Sequence, residues 1–277
     1  MAQSPGTRIF MTGASGYIGS VVTEFVISQG YEVHGLSRTE DNDTKMRRLG
    51  AVPVRGNLQS LDVLRRESEN AQIVIHLAGV MTRHRDYNES LRIDAAAVDA
   101  ICQTLRGTGK RLLVTSGSMV PLRKTPVKDK VMAEEHALSW SKKEGVHVVS
   151  IRLAPYVYGR GGSGVRLFMQ MYRSRGSTRT SAVHLLAAEK AKAGEVFNCT
   201  SSTDAIGSIL DLPIKSVPFE EAVTRFGMFL ASFLSTENWA SSTKAIKALE
   251  WGPSEPDILE DITAGSYATV TKKLLEF

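Results

Sequence analysis

The sequence predicts an α/β protein built on a doubly wound parallel sheet, and three observations predict it. Short strand-like apolar runs alternate with longer helix-like stretches from residue 8 to about residue 153. Some of the runs, QIVIHLAG at 72–79 above all, are apolar nearly throughout, as a strand covered on both faces requires. The first strand-to-helix turn carries Gly13, Gly16 and Gly19, spaced G-x-x-G-x-x-G.

The elements follow in order. RIFMT (8–12) reads as the first strand. The helix after the glycines sets Ile18, Val21, Val22, Phe25 and Val26 on one stripe at i, i+3, i+4, i+7 and i+8, and Gly30 ends it. YEVHGLS is the second strand, AVPVRGNL a third ending at Asn57 and Leu58, and QIVIHLAG the fourth. A long helix over 87–105 leads to the fifth strand, KRLLVTSGS, with hydroxyls at its carboxyl end. Thr125 caps the next helix (126–144) and Pro126 takes its first position, where a missing N–H costs nothing. HVVSIRLAPYVYG gives the sixth strand and its loop.

Two units are expected: a nucleotide-binding domain over 1–160 and a smaller substrate lobe over 161–277, part of which completes the sheet. In that lobe VRLFMQMYRSRG reads as a helix. FEEAVTRFGMFLASFL reads as another, apolar on nearly all sides and so buried or partner-facing. ASSTKAIKALEWGPSEPDILEDI reads as a helix, a tryptophan-containing turn and a closing helix.

The chain has 277 residues, 42% hydrophobic and 23% charged, the range of a soluble globular protein with a substantial core. Its net charge of +5 is scattered. A small anionic molecule is therefore a better expectation than nucleic acid. Cys102 and Cys199 lie far apart in apolar surroundings and read as reduced core residues, with no spacing that suggests a metal. The N-terminal MAQSPGTRIF lacks a signal-peptide run and no apolar stretch reaches 18 residues. No membrane association and a cytoplasmic location are expected, with a homodimer as the one assembly left open.

The glycine turn carries the most specific chemistry. One glycine allows a tight turn, another lets the backbone approach a pyrophosphate, and the third lets helix and strand pack closely. The helix N-terminus adds N–H donors and positive potential. This is the Rossmann arrangement, with Ser15, Tyr17 and Ile18 between the glycines as further cofactor neighbours. At the end of the second strand, where an NAD-preferring site carries an acid, stand Ser37 and Arg38. A neutral residue and a planar cation suit a 2′-phosphate, so NADP is expected over NAD.

TGASGYIG, GNL, HLAG, VTSGS, AEE and IRLAPYVYG, in this order and spacing, resemble the landmarks of the extended short-chain dehydrogenase/reductases, the NAD(P)-dependent epimerase/dehydratase-like superfamily. The resemblance covers about residues 8–160 and is greatest to an atypical subgroup lacking the usual active-site tyrosine. It implies that Gly13, Gly16 and Gly19 face the pyrophosphate, Arg38 the 2′-phosphate, and Asn57 and Leu58 the adenine. It further implies that Ala78 and Gly79 pass beneath the ribose and nicotinamide, that Pro155, Tyr156 and Val157 line the nicotinamide pocket, and that Lys130 holds the nicotinamide ribose.

The departures bear on function. The family motif is a tyrosine, three residues, then lysine; Pro126 stands in the tyrosine's place. Proline donates no proton. The family's serine or threonine falls on Gly117, between Ser116 and Ser118. Lys130, Tyr156, Tyr158 or a hydroxyl of Ser116 or Ser118 are the candidates to substitute. The turn and tryptophan expected after residue 176 are missing, and the segment after residue 204 is too short for a helix of its own. These read as natural trimming of the lobe or as lost coding segments.

The leading expectation is an NADP(H)-dependent oxidoreductase acting on a carbonyl or secondary alcohol of a small molecule, with Lys130, Ser116 and Ser118 as catalytic residues. A dinucleotide-binding sensor or scaffold that has lost catalysis is the alternative. Nucleotide-sugar epimerase or dehydratase chemistry comes third. Whether the chain is an enzyme stays open.

Overall fold

The computed structural model describes residues 6–79, 87–118, 128–154, 159–160, 162, 192–199, 218–234, 240–252, 260–261 and 264–269. Seven parallel strands form one sheet: β1 (Arg8–Thr12), β2 (Glu32–Ser37), β3 (Val52–Arg55), β4 (Ile73–His76), β5 (Arg111–Gly117), β6 (His147–Leu153) and β7 (Val196–Cys199), in the order β3-β2-β1-β4-β5-β6-β7. Helices α1 (Tyr17–Ser28), α2 (Glu40–Arg48), α3 (Leu61–Asn70), α4 (Tyr87–Leu105) and α5 (Lys128–Glu144) link the first six strands. The order reverses between β1 and β4, which opens a crevice at the carboxyl ends of those strands.

Strand side chains alternate between two apolar layers. On one face Ile9, Met11, Ile75, Leu113, Val149 and Ile151 pack with Val22 and Val26 of α1 and Met46 of α2. On the other Phe10, Val74, Leu112 and Val148 pack with Leu64 of α3 and Ile101 and Leu105 of α4. Each such side chain, once fully buried, contributes about 1.5–3 kcal/mol. The two-faced burial explains why these strands read as continuous apolar runs.

The last third joins the same body. β7 pairs with β6 in register, Ser150 opposite Val196 through Leu153 opposite Cys199. After α6 (Phe219–Leu234), α7 (Thr243–Leu249) contributes Ala245 and Leu249 to the first layer, and Trp251 closes it. α6 covers the stretch expected to be helical, with a break inside it. Gly227, at φ 80° and ψ 158°, breaks its helical geometry, and Met228 beyond the break is exposed. The helical residues expected over 165–176, Thr125, Pro126 and most of the closing helix lie outside the described residues. No helix among the described residues is long and apolar enough to cross a membrane, and none of their acidic, histidine and cysteine side chains form a group able to hold a metal ion.

Candidate dinucleotide site

The turn between β1 and α1 is built by what its glycines lack. Gly13 has φ +78°, and a Cβ there would stand 2.9 Å from the Ala78 amide nitrogen. A Cβ on Gly19 would stand 2.0 Å from the Gly13 carbonyl oxygen and 2.9 Å from the Ala14 Cα, so only glycine closes the turn against the helix. Gly16 donates its N–H to the Gly13 oxygen at 3.0 Å and becomes the N-cap of α1. As a glycine it offers no side-chain acceptor to the first-turn N–H groups, and that turn holds no acid. The N-terminal dipole therefore opens onto the crevice without an internal anion, as a pyrophosphate site requires.

Ala78 and Gly79 leave β4 directly across from this turn. The Ala78 N–H donates to Thr12 Oγ1 at 3.2 Å, and the Leu77 N–H to the Thr12 carbonyl at 3.1 Å. Thr12 Oγ1 also meets His76 Nδ1 at 2.9 Å, with His76 Nε2 3.5 Å from Asp94 Oδ1 of α4. Thr12 Oγ1 therefore bridges the Ala78 N–H and the His76 ring. His76 is thereby the buried tie between the two strand ends, a role that depends on strand register and so on residues 64 positions apart.

At the adenosine end Ser37 is buried and donates to the Thr39 carbonyl at 3.1 Å. Thr39 caps α2 through the Asn42 N–H. Arg38 between them is exposed and makes no hydrogen bond or ion pair with the other described residues. Its neighbour Arg55 differs: Glu40 Oε2 at 3.0 Å and Asp43 Oδ2 at 2.5 Å hold it. Asn57 is committed to a local turn, its Oδ1 accepting from the Gln59 N–H at 2.7 Å, and Leu58 packs its side chain into the core.

A cavity of about 300 Å³ lies at the carboxyl ends of β4 and β5, under α4 and α5. Its polar lining comes from His76, Asp94, Thr115, Ser116 and Glu134. Ser116 Oγ is buried with no hydrogen-bond partner among the described residues, a group that needs a water or a ligand. Ser118 is 2% exposed, bonds β6 through its N–H to the Leu153 oxygen at 2.8 Å, and does not line the cavity. The strand alternation separates Gly117 from both, and a Cβ there would meet nothing within 4 Å. Lys130 lies in the first turn of α5, three residues before Ala133 of the lining. Pro155, Tyr156, Val157 and Tyr158 fall outside the described residues.

Glu134 was missed by sequence reading beyond its place in AEE. It is 4% exposed and accepts Arg152 Nε at 3.0 Å on both oxygens and Arg152 Nη2 at 2.6 Å on Oε2, while Ser150 Oγ donates to Oε1. On α4, Asp99 accepts from His136 Nε2 at 2.7 Å and Trp140 Nε1 at 2.8 Å, which ties α4 to α5. Burial, with Asp99 nearby, pushes the Cys102 thiol well above its ordinary pKa, leaving it a packing group rather than a nucleophile.

Residues 9–186 match the model of the NAD dependent epimerase/dehydratase family, and the chain belongs to that family. An uncharacterized protein of Schizosaccharomyces pombe is 32% identical over 296 residues, covering 94% of this chain and 99% of the relative. The 4-hydroxy-2-methyl-3-oxo-4-farnesyl-3,4-dihydroquinoline-1-oxide ketoreductase of Stigmatella aurantiaca is 25% identical over 228 residues, 70% of this chain and 68% of that one. Among solved structures, the Bordetella bronchiseptica enzyme WbmF, in complex with NAD+ and UDP, superposes with a TM-score of 0.69 at 13% identity, covering 100% of this chain and 97% of WbmF. That likeness is one of fold.

Proposed function

We propose that the chain binds NADP(H) and acts as an oxidoreductase on a carbonyl or secondary alcohol of a small molecule. The observation that carries the reading is the β1–α1 turn, which only glycine can close and whose helix N-terminus presents no internal anion to the crevice. Gly13, Gly16 and Gly19 would hold the pyrophosphate, with Ser15, Tyr17 and Ile18 around it. Ala78 and Gly79 would border the nicotinamide ribose, and Lys130 would orient it. Exposed Arg38, without an anionic partner among the described residues, supports the 2′-phosphate and hence NADP over NAD. A bound nicotinamide supplies the carbon that gives or takes hydride. What this chain adds at the reacting carbon is a polar cavity in which Ser116 Oγ is placed to orient a substrate oxygen.

Pro126 favours a second reading, a dinucleotide-binding sensor or scaffold without turnover, because the family's proton donor is absent there. One set of measurements separates them. NADPH and NADH are titrated separately by nicotinamide fluorescence, then NADPH oxidation is followed with a panel of carbonyl compounds. Micromolar binding that favours NADPH, with turnover of one carbonyl class, supports the first reading. Binding without turnover supports the second, and no binding of either nucleotide removes both. Arg38→Ala is expected to weaken NADPH about tenfold or more, the loss of a charge-assisted contact, while NADH affinity stays within about twofold. Equal weakening of both nucleotides would remove Arg38 from the 2′-phosphate.

A further inference from the structure

We propose that Tyr267, near the C-terminus, is a positioning residue of the dinucleotide site; the proposal rests on the reading of that site given above. Tyr267 is fully buried. Its hydroxyl donates to the Gly162 carbonyl at 2.7 Å and accepts the Gly159 N–H at 3.0 Å, which uses both faces of the oxygen. The Gly159 carbonyl in turn accepts from the hydroxyl of Tyr17. Tyr17 is the first residue of α1, inside the glycine turn. A Cβ on Gly162 would stand 2.7 Å from the Tyr17 ring, so the two are in direct contact. One hydrogen-bonded chain thus runs from the C-terminal segment, through the segment after β6, to the residue that opens the pyrophosphate end of α1.

Two further observations show that this conformation is imposed rather than preferred. Gly159 has φ +114° and Arg160, which is not glycine, has φ +54°. A non-glycine residue held there stores strain, and such strain persists where the surroundings over-determine the backbone. Arg160 is held by both its terminal nitrogens on Glu24 of α1. Tyr267 is held in its turn, because the Tyr267 N–H donates to the Asp261 carbonyl at 3.1 Å and Asp261 Oδ1 takes the Ser266 N–H at 2.6 Å. Docking of the C-terminal segment and the setting of Tyr17 are therefore one event. Affinity for the pyrophosphate and nicotinamide half of the dinucleotide depends on it, while the 2′-phosphate end at Arg38 does not.

The test uses the full chain and two probes: NADPH, and adenosine 2′-monophosphate, which carries the 2′-phosphate and neither the pyrophosphate nor the nicotinamide. Affinities are measured well below the thermal midpoint of each variant. Tyr267→Phe removes one hydroxyl and orphans two buried backbone groups, so NADPH should weaken about fivefold or more, with adenosine 2′-monophosphate within about twofold. Glu24→Gln loosens the same segment from its exposed side and should shift NADPH in the same direction by a smaller factor; it carries the test if Tyr267→Phe does not melt cooperatively. NADPH affinity unchanged in the folded variants, or both probes weakened equally, overturns the positioning role. Wild-type protein that binds neither probe overturns the dinucleotide reading first and the role of Tyr267 with it.

Discussion

Gly19 and Gly117 have opposite surroundings. A Cβ on Gly19 meets backbone atoms of Gly13 and Ala14, which cannot swing aside as a side chain would. Gly19→Ala should therefore cost stability at the upper end of the roughly 1–3 kcal/mol typical of overpacking. Gly117→Ser enters open space and should stay within about 0.5 kcal/mol. Urea unfolding midpoints of the two variants check this, and a Gly19→Ala protein as stable as wild type would sink the account of the turn. Gly19 was legible in the sequence because its spacing repeats and a helical stripe follows. Gly117 was legible only as an ambiguity. Of Ser116, Gly117 and Ser118, only Ser116 lines the cavity, a choice that alternation alone does not make, since it puts Ser116 and Ser118 on the same face.

At the scale of elements, α5 and β6 are locked by a polar pair in an otherwise apolar layer. Arg152 and Ser150 both donate to Glu134, whose carboxylate is nearly inaccessible. Glu134→Gln leaves a guanidinium without its countercharge. Since Arg152 keeps some exposure, the loss should lie near the lower end of the roughly 3–5 kcal/mol seen when a buried pair is broken. The double change Glu134→Leu with Arg152→Met should recover part of that loss, because burying neither charge is cheaper than burying one. Denaturant unfolding of the single and double variants decides; a double variant weaker than Glu134→Gln would count against the argument. The period and cap of α5 were readable locally, but its partner on β6 was not, since pairs 18 residues apart follow from packing. α6 spans the stretch FEEAVTRFGMFLASFL expected to be helical, but the kink at Gly227 was not readable from its apolar pattern.

Across the whole molecule, described residues of the last third tie into the sheet at several specific points. β7 extends it, α7 and Trp251 cover it, and Tyr267 holds the segment after β6. The central strands β1, β4, β5 and β6 were legible because both their faces are buried, whereas four-residue β7 was not assigned as a strand. The Schizosaccharomyces pombe relative aligns over 296 residues, more than the 277 of this chain, so it carries residues with no counterpart here. One of the ties titrates. The Lys192 N–H donates to Glu195 Oε2 at 2.9 Å and Lys244 of α7 lies 3.1 Å from Oε1. These contacts, the backbone donor first, hold the Glu195 carboxyl below the ordinary value of 4.5. A carboxyl whose pKa is lowered by folding adds stability above its unfolded value, and that stability is lost as pH falls through the folded value. Glu195→Gln should thus be less stable than wild type at neutral pH by up to about 1 kcal/mol, the modest scale of a partly exposed pair. The gap should close on acidification below the ordinary glutamate range. Urea midpoints of both proteins across that range measure it directly. A gap that widens with acid would mean that Glu195 is not the titrating tie between β7 and α7.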